Sequence, residues 1–161
     1  AKEHGIKLGL VEATIEANER QKMRMVEKIE ERMGDLQSKT IAVLGLTFKA
    51  NTDDVRESPT LTIVPELVKR GARVRAYDPM GMENAKKLLG EKDIKYCADE
   101  YEAAEEADAV VILTEWFVFR RMDLTKLREV MRNHYFFDFR NLYEPDEVKK
   151  AGFVYEGVGR S

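Results

Sequence analysis

At 161 residues, 43% of them apolar, the chain can fill one core and is too short for two domains and a linker. A net charge of -3 excludes an overall positive field for nucleic acid, and no run of Lys or Arg forms a stripe, so an anionic ligand has to be met by local cations. The single cysteine, Cys97, excludes an internal disulfide framework and a multi-thiolate metal site.

The polar start Ala-Lys-Glu-His carries no signal peptide, and no apolar run approaches the roughly 20 residues of a spanning helix. The expectation is a soluble, cytoplasmic protein without membrane contact. A charged fraction of 35% leans towards a thermophilic source. From Leu8 to Met33 the apolar residues Leu8, Val11, Ile15, Met25, Ile29 and Met33 follow one helical stripe among Glu, Lys and Arg. Such a helix would run roughly 39 Å, longer than one face of a domain this size, so part of the stripe is expected to pack on something outside the chain. Asn18 interrupts it, to fix register in a dimer, to face a substrate cleft or, equally, as an exposed residue at the edge of a domain outside the chain. Gly34 and Asp35 end the helix.

Beyond Thr40, short β-rich runs alternate with helical patterns. The strands are Ile41–Leu46, Arg73–Tyr77, Ile94–Tyr96, Ala109–Leu113, Tyr135–Phe139 and Phe153–Tyr155; the helices fall at about 60–70, 81–90, 99–106, 123–132 and 145–151. Alternation with buried runs such as Ile-Ala-Val-Leu predicts an α/β, Rossmann-like, doubly wound and mostly parallel sheet of about six strands, preceded by the long N-terminal helix. The domain division is 1–36 for the helix and 37–161 for the α/β unit.

In such a sheet, ligands sit beyond the carboxyl ends of the strands where the winding reverses. The connection after the first strand, Gly45 to Pro59, is about three times the usual length. It holds one glycine instead of a GxGxxG fingerprint, and two cations, Lys49 and Arg56, suited to phosphate oxygens as a point charge and a bidentate fork. Both are equally readable as solvated loop charges. Asp53 and Asp54 lack the further oxygen ligands of a metal site and are read as turn residues. Ser58-Pro59 has the chemistry of an N-cap and first helical residue. His4 and His134 have no partners at metal-ligand spacing, so no metal is expected. Asp78, at the end of the second strand, is a ribose-binding acid or, with Pro79 following, a turn residue.

Gly45-Leu-Thr-Phe-Lys49 with Asn51-Thr-Asp-Asp-Val-Arg-Glu-Ser-Pro59, then Tyr77-Asp78-Pro79, Thr114-Glu115-Trp116, Asp138-Phe-Arg140-Asn141 and Gly157-Val-Gly159-Arg160, closely resembles the C-terminal nucleotide-sugar-binding domain of the UDP-glucose/GDP-mannose dehydrogenase family. Asn18-Glu-Arg-Gln21 resembles the end of that family's central helix, which joins two nucleotide-binding domains and carries the dimer contact.

The resemblance implies UDP-sugar contacts for Phe48, Lys49 and Arg140, and contact by Arg56 with an NAD held mainly by an N-terminal domain of the same full-length chain. The three cations, sharing one sheet edge, are expected to converge. The resemblance also implies a homodimer through the long helix. It further implies an NAD-dependent oxidation of a sugar C6 alcohol to a carboxylate, with the Thr-Glu-Trp and Arg-Asn-Leu-Tyr contexts favouring UDP-glucose over UDP-N-acetylmannosamine or GDP-mannose. The family's catalytic cysteine lies in a Gly-Gly-Ser-Cys segment that this chain does not contain, so the chain reads as the binding portion of a longer enzyme, inactive alone. The alternative is a non-catalytic nucleotide-binding or dimerisation module. Two departures from the pattern stand out. Phe139 replaces the family's usual glycine before the arginine, and Phe117-Val118 follows Trp116 where acidic residues are common, making Trp116 to Val118 a candidate exposed apolar patch.

Overall fold

Strands β1 (Thr40–Leu44), β2 (Arg73–Tyr77), β3 (Ile94–Tyr96), β4 (Ala109–Ile112), β5 (Tyr135–Asp138) and β6 (Val154–Gly157) lie side by side in the order β3-β2-β1-β4-β5-β6, every neighbouring pair parallel. The structure is a computed structural model describing residues 2–161, with side chains from residue 9 onward. The connecting helices are α1 (Lys2–Met33), α2 (Thr60–Lys69), α3 (Met82–Leu89), α4 (Glu100–Ala104), α5 (Phe117–Arg120), α6 (Leu124–Val130) and α7 (Pro145–Lys150).

Two cores follow from the two-residue period of a strand. In β1, Ile41 and Val43 point to one face, where they meet Val74 of β2, Val111 of β4, Phe137 of β5 and residues of α1, α2 and α3. Ala42 and Leu44 point to the other, with Val110, Ile112, Phe136 and Tyr155 beneath residues of α4, α5, α6 and α7. Because both faces are covered, the central strands read as continuous apolar runs. The winding reverses between β1 and β4, which places the loops after these strands on either side of a crevice.

The long helix divides into two halves. Val26 and Ile29 are buried against the first core, and α1 packs on α2. Residues 9–21, a length of roughly 20 Å at 1.5 Å per residue, are exposed throughout, including Leu10, Val11 and Ile15. Gly34, at φ 81°, ends the helix by donating its N–H to the Glu30 carbonyl at 2.8 Å. The side chains of Leu8 and His4 lie outside the described residues. Among the described residues, no helix is long and apolar enough to cross a membrane.

The one-turn helix α5 was not visible as a helical pattern, since a four-residue element shows no period. Elsewhere strand and short-helix ends shift by a residue or two, as when β1 stops at Leu44 and β6 runs on to Gly157, while α1 begins at Lys2, six residues before the Leu8 at which its apolar stripe was read.

Candidate functional site

The long loop leaves β1 through a tight passage. Gly45 stands at φ 101° and a Cβ there would lie 2.5–2.6 Å from Thr114, so both conformation and space demand glycine. Beyond it the chain is held by Asp78, a buried carboxylate at the end of β2. Its Oδ2 accepts from Leu46 N at 2.7 Å, Thr47 N at 3.0 Å, Thr47 Oγ1 at 3.0 Å and Trp116 Nε1 at 3.1 Å. Its Oδ1 accepts from Met80 N at 2.9 Å and Gly81 N at 2.8 Å. Six donors fill both oxygens, so Asp78 is an organising group with no capacity left for ribose hydroxyls. The turn reading is correct, and the residue also reaches across the sheet edge to Trp116.

Thr47 is held from further sides. Its carbonyl accepts from Thr114 Oγ1 at 2.8 Å and from Ser58 Oγ at 3.4 Å, the latter joining the two ends of the loop. Ser58 Oγ also accepts from Thr60 N at 3.2 Å, but α2 begins at Thr60 with Pro59 in the cap position and no side-chain cap bond, one residue later than Ser58-Pro59 predicted. Inside the loop, Phe48 N donates to the Asp54 carbonyl at 2.8 Å. Asp54 accepts from Arg56 N at 2.9 Å and from the Arg56 guanidinium at 3.0 and 3.1 Å. The hydrogen bonds from Arg56 hold the Asp54 carboxyl below its ordinary range, and the same pairing raises Arg56. Asp54 is thus a turn residue, as its chemistry predicted.

Two hollows open at this edge. An open cleft of about 850 Å³ lies between α1 and the loops, lined by Ile15, Asn18 and Lys22 on one side and by Phe48, Phe139 and Arg140 on the other. Asn18 is exposed and lines this cleft. Phe48 is half exposed, and Arg140 is paired with Glu115 at 2.9 Å. Phe139 turns away into the first core beside Phe137, ring centroids 6.0 Å apart.

Its bulk is tolerated because the left-handed residue of this turn is Asn141, at φ 51°, instead of Phe139. Asn141 clasps the backbone of Val158, donating Nδ2 to its carbonyl at 3.1 Å and accepting its N–H at 3.0 Å. The carboxylate of Asp138, fully buried, closes the same turn by accepting from Leu142 N at 3.0 Å and Tyr143 N at 2.9 Å.

The second hollow, of about 570 Å³, is lined by Thr52 to Arg56 and by Asn84, Lys87 and Leu88 of α3. Asn84 Nδ2 donates to the Asp53 carbonyl at 3.0 Å, tying loop to helix. The expected convergence of three cations does not occur: Arg140 shares the first cleft with Phe48, Arg56 lines the second hollow with Lys87, and exposed Lys49 lines neither. The cause is local. The inner turn closed by Phe48 and Asp54, with the fork of Arg56 held by Asp54, directs Arg56 towards α3 and away from Arg140.

The apolar patch at Trp116 to Val118 is also corrected. Trp116 is buried because its indole N–H finds Asp78 and Thr47, the latter at 3.1 Å, and of the three only Phe117 stands largely free, with Arg121 over its ring at 5.0 Å. Cys97 is buried in the second core, and burial pushes its thiol up, the reverse of what a nucleophile needs. His134 packs edge-on against Phe153.

Spacing alone did not single out Glu115, Thr47 or Asn141. An Asn three residues beyond a strand's end, in a turn where the left-handed region is common, was a usable signal for the last; nothing local marks the other two.

Residues 42–145 match the UDP-glucose/GDP-mannose dehydrogenase family, UDP binding domain. Over 162 residues the chain is 49% identical to a UDP-glucose 6-dehydrogenase of Rhizobium meliloti, covering 99% of this chain and 36% of that protein. It is 42% identical over 160 residues to a UDP-glucose 6-dehydrogenase of Bacillus subtilis, covering 99% of this chain and 34% of the relative. Among solved structures, a UDP-glucose dehydrogenase from Pyrobaculum islandicum superposes with a TM-score of 0.76 at 34% identity, covering 93% of this chain and 32% of that one. The chain spans about a third of the length of the curated relatives it matches.

Proposed function

Because the chain belongs to the UDP-glucose/GDP-mannose dehydrogenase family, we propose that it supplies the nucleotide-sugar-binding part of a UDP-glucose 6-dehydrogenase, with residues 37–161 as the binding domain and residues 1–36 as the end of an interdomain helix. The observation that carries this reading is the cleft at the reversal of the sheet, where Phe48, Arg140 and Asn18 meet around about 850 Å³, enough for a nucleotide sugar. In it, Phe48 offers a half-exposed ring to a base or sugar face. Arg140 offers a guanidinium to a phosphate, exchanging Glu115 for a ligand oxygen. Lys49 lines neither hollow, but being exposed and next to Phe48 in the chain it is assigned a second positive charge for the same ligand, a role that rests on the motif it shares with the family.

NAD is assigned to the second hollow, in minor part. Its rim of guanidinium, amide and ammonium from Arg56, Asn84 and Lys87 suits the phosphate or amide oxygens of a dinucleotide held mostly by another domain. When bound, NAD accepts hydride from the sugar. The contribution of this chain is to hold the substrate and one flank of the cofactor. Buried Cys97 serves no covalent step, so the chain alone binds without turnover.

Titration calorimetry with UDP-glucose on the wild type and on Lys49→Ala tests the site. Loss of one charge-assisted contact should weaken binding about tenfold. Equal heats for the two proteins, or none for either, would remove Lys49 from the site. Parallel titrations with UDP-N-acetylmannosamine and GDP-mannose decide the sugar nucleotide, with UDP-glucose expected to bind most tightly.

A further inference from the structure

The cluster around Asp78 lies beneath the loop, touches neither hollow, and has no part in the function proposed above. We infer that Asp78, Thr47 and Trp116 form a buried clamp that positions Phe48 and Lys49 for the nucleotide sugar, an inference that rests on the proposed site.

The geometry is that of a fixed base with a free tip. Thr47 is fully buried, and every polar atom it owns is engaged: its N–H and Oγ1 donate to Asp78 Oδ2, Oγ1 accepts from Trp116 Nε1, and its carbonyl accepts from Thr114 Oγ1 and Ser58 Oγ. These partners come from three places: the end of β2, the segment after β4 and the end of the loop. The next residue, Phe48, is half exposed in the cleft, and Lys49 is exposed. A chain pinned at Thr47, with the Phe48 backbone tied to the Asp54 carbonyl and only the Phe48 and Lys49 side chains exposed, loses little further backbone freedom on binding, because the direction in which it leaves the sheet is already set.

The carboxylate is specific to the arrangement. Oδ2 faces two backbone N–H groups and Oδ1 faces two more, so an asparagine amide placed either way would oppose donors. Trp116 adds the link to the β4 side of the crevice, two residues beyond Thr114 and next to Glu115, which pairs with Arg140. The clamp thus connects both walls of the cleft at its base.

Because Asp78→Asn threatens folding, Thr47 and Trp116 carry the test. UDP-glucose is titrated into wild type, Thr47→Val, Thr47→Ser and Trp116→Phe, each verified as folded by circular dichroism, with emission of Trp116, the only tryptophan, followed in the proteins that retain it. Thr47→Val keeps shape and removes the hydroxyl; it should weaken binding about tenfold, and Thr47→Ser should restore most of that loss. Trp116→Phe should weaken binding severalfold, and wild-type emission should change in step with saturation. If folded Thr47→Val and Trp116→Phe both bind as wild type does, the clamp is structural and the inference fails while the site stands. If wild type itself binds no UDP-glucose, the site reading fails and takes the clamp with it. Should Thr47→Val not fold, Trp116→Phe alone decides by the same comparison.

Discussion

Individual residues here are constrained by donors and by space more than by charge. Gly45 is the sharpest case: alanine there would combine a φ of 101° with a Cβ about 2.5 Å from the Thr114 side chain and backbone. Strain and overpacking together should cost about 2–5 kcal/mol, read as a lower midpoint in urea at unchanged slope; a loss below about 1 kcal/mol would show that the passage relaxes. The sequence made Gly45, Lys49 and Arg56 conspicuous because glycine and cations in an overlong loop are rare enough to notice. The roles of Asp78 and Thr47 were less legible, because the six donors around the Asp78 carboxylate come from segments up to 38 residues from it in sequence, on both sides, and leave no local signature. Arg140 and Phe139 show the same limit. A glycine missing from a motif suggested strain, yet the left-handed turn had moved one step beyond Arg140 to Asn141.

Elements were read more easily than their neighbours. The central strands β1, β4 and β5 were read from apolar runs because burial on both faces of a parallel sheet writes such runs directly, and the outer β2, β3 and β6 from shorter β-rich segments with polar residues between, whereas the single turn of α5 is too short to write any period. The long helix was legible for the same reason, since Val11, Ile15, Met25 and Ile29 recur on one stripe. The stripe continues beyond the domain that covers its lower half, leaving Val11 and Ile15 at 56% and 57% exposure, with Leu10 flanking the stripe at 65%. Apolar side chains repeated on an unpaired helix face favour a second helix of the same kind. The expected state is a dimer in light scattering at high concentration, and Leu10→Glu with Val11→Glu should shift it to monomer without altering the melting of the α/β unit. A wild type that stays monomeric would remove the dimer reading.

At the scale of the whole molecule, the separation of the two hollows has a consequence that convergence of the three cations would not have had. Arg140, with Phe48 and Asn18, faces one cleft, and Arg56, with Lys87 and Asn84, faces another, while the buried base at Thr47 and Asp78 lies between the loops that line them. A site in which all cations met one ligand would make every substitution act on that ligand. With the cations divided, substrate and cofactor should respond independently in a protein that combines this chain with the catalytic portion proposed for it. Arg140→Ala should raise KM for UDP-glucose about tenfold and change KM for NAD by less than about twofold, and Arg56→Ala should do the reverse. Steady-state kinetics with each ligand varied in turn measures both. The ion pairs each arginine forms within the chain sharpen the test, because removing Asp54 or Glu115 frees a guanidinium without deleting it. Asp54→Asn should therefore alter NAD affinity and spare UDP-glucose. If either arginine substitution moves both Michaelis constants equally, the two hollows act as one site, and the assignment of Arg56 to the cofactor is wrong.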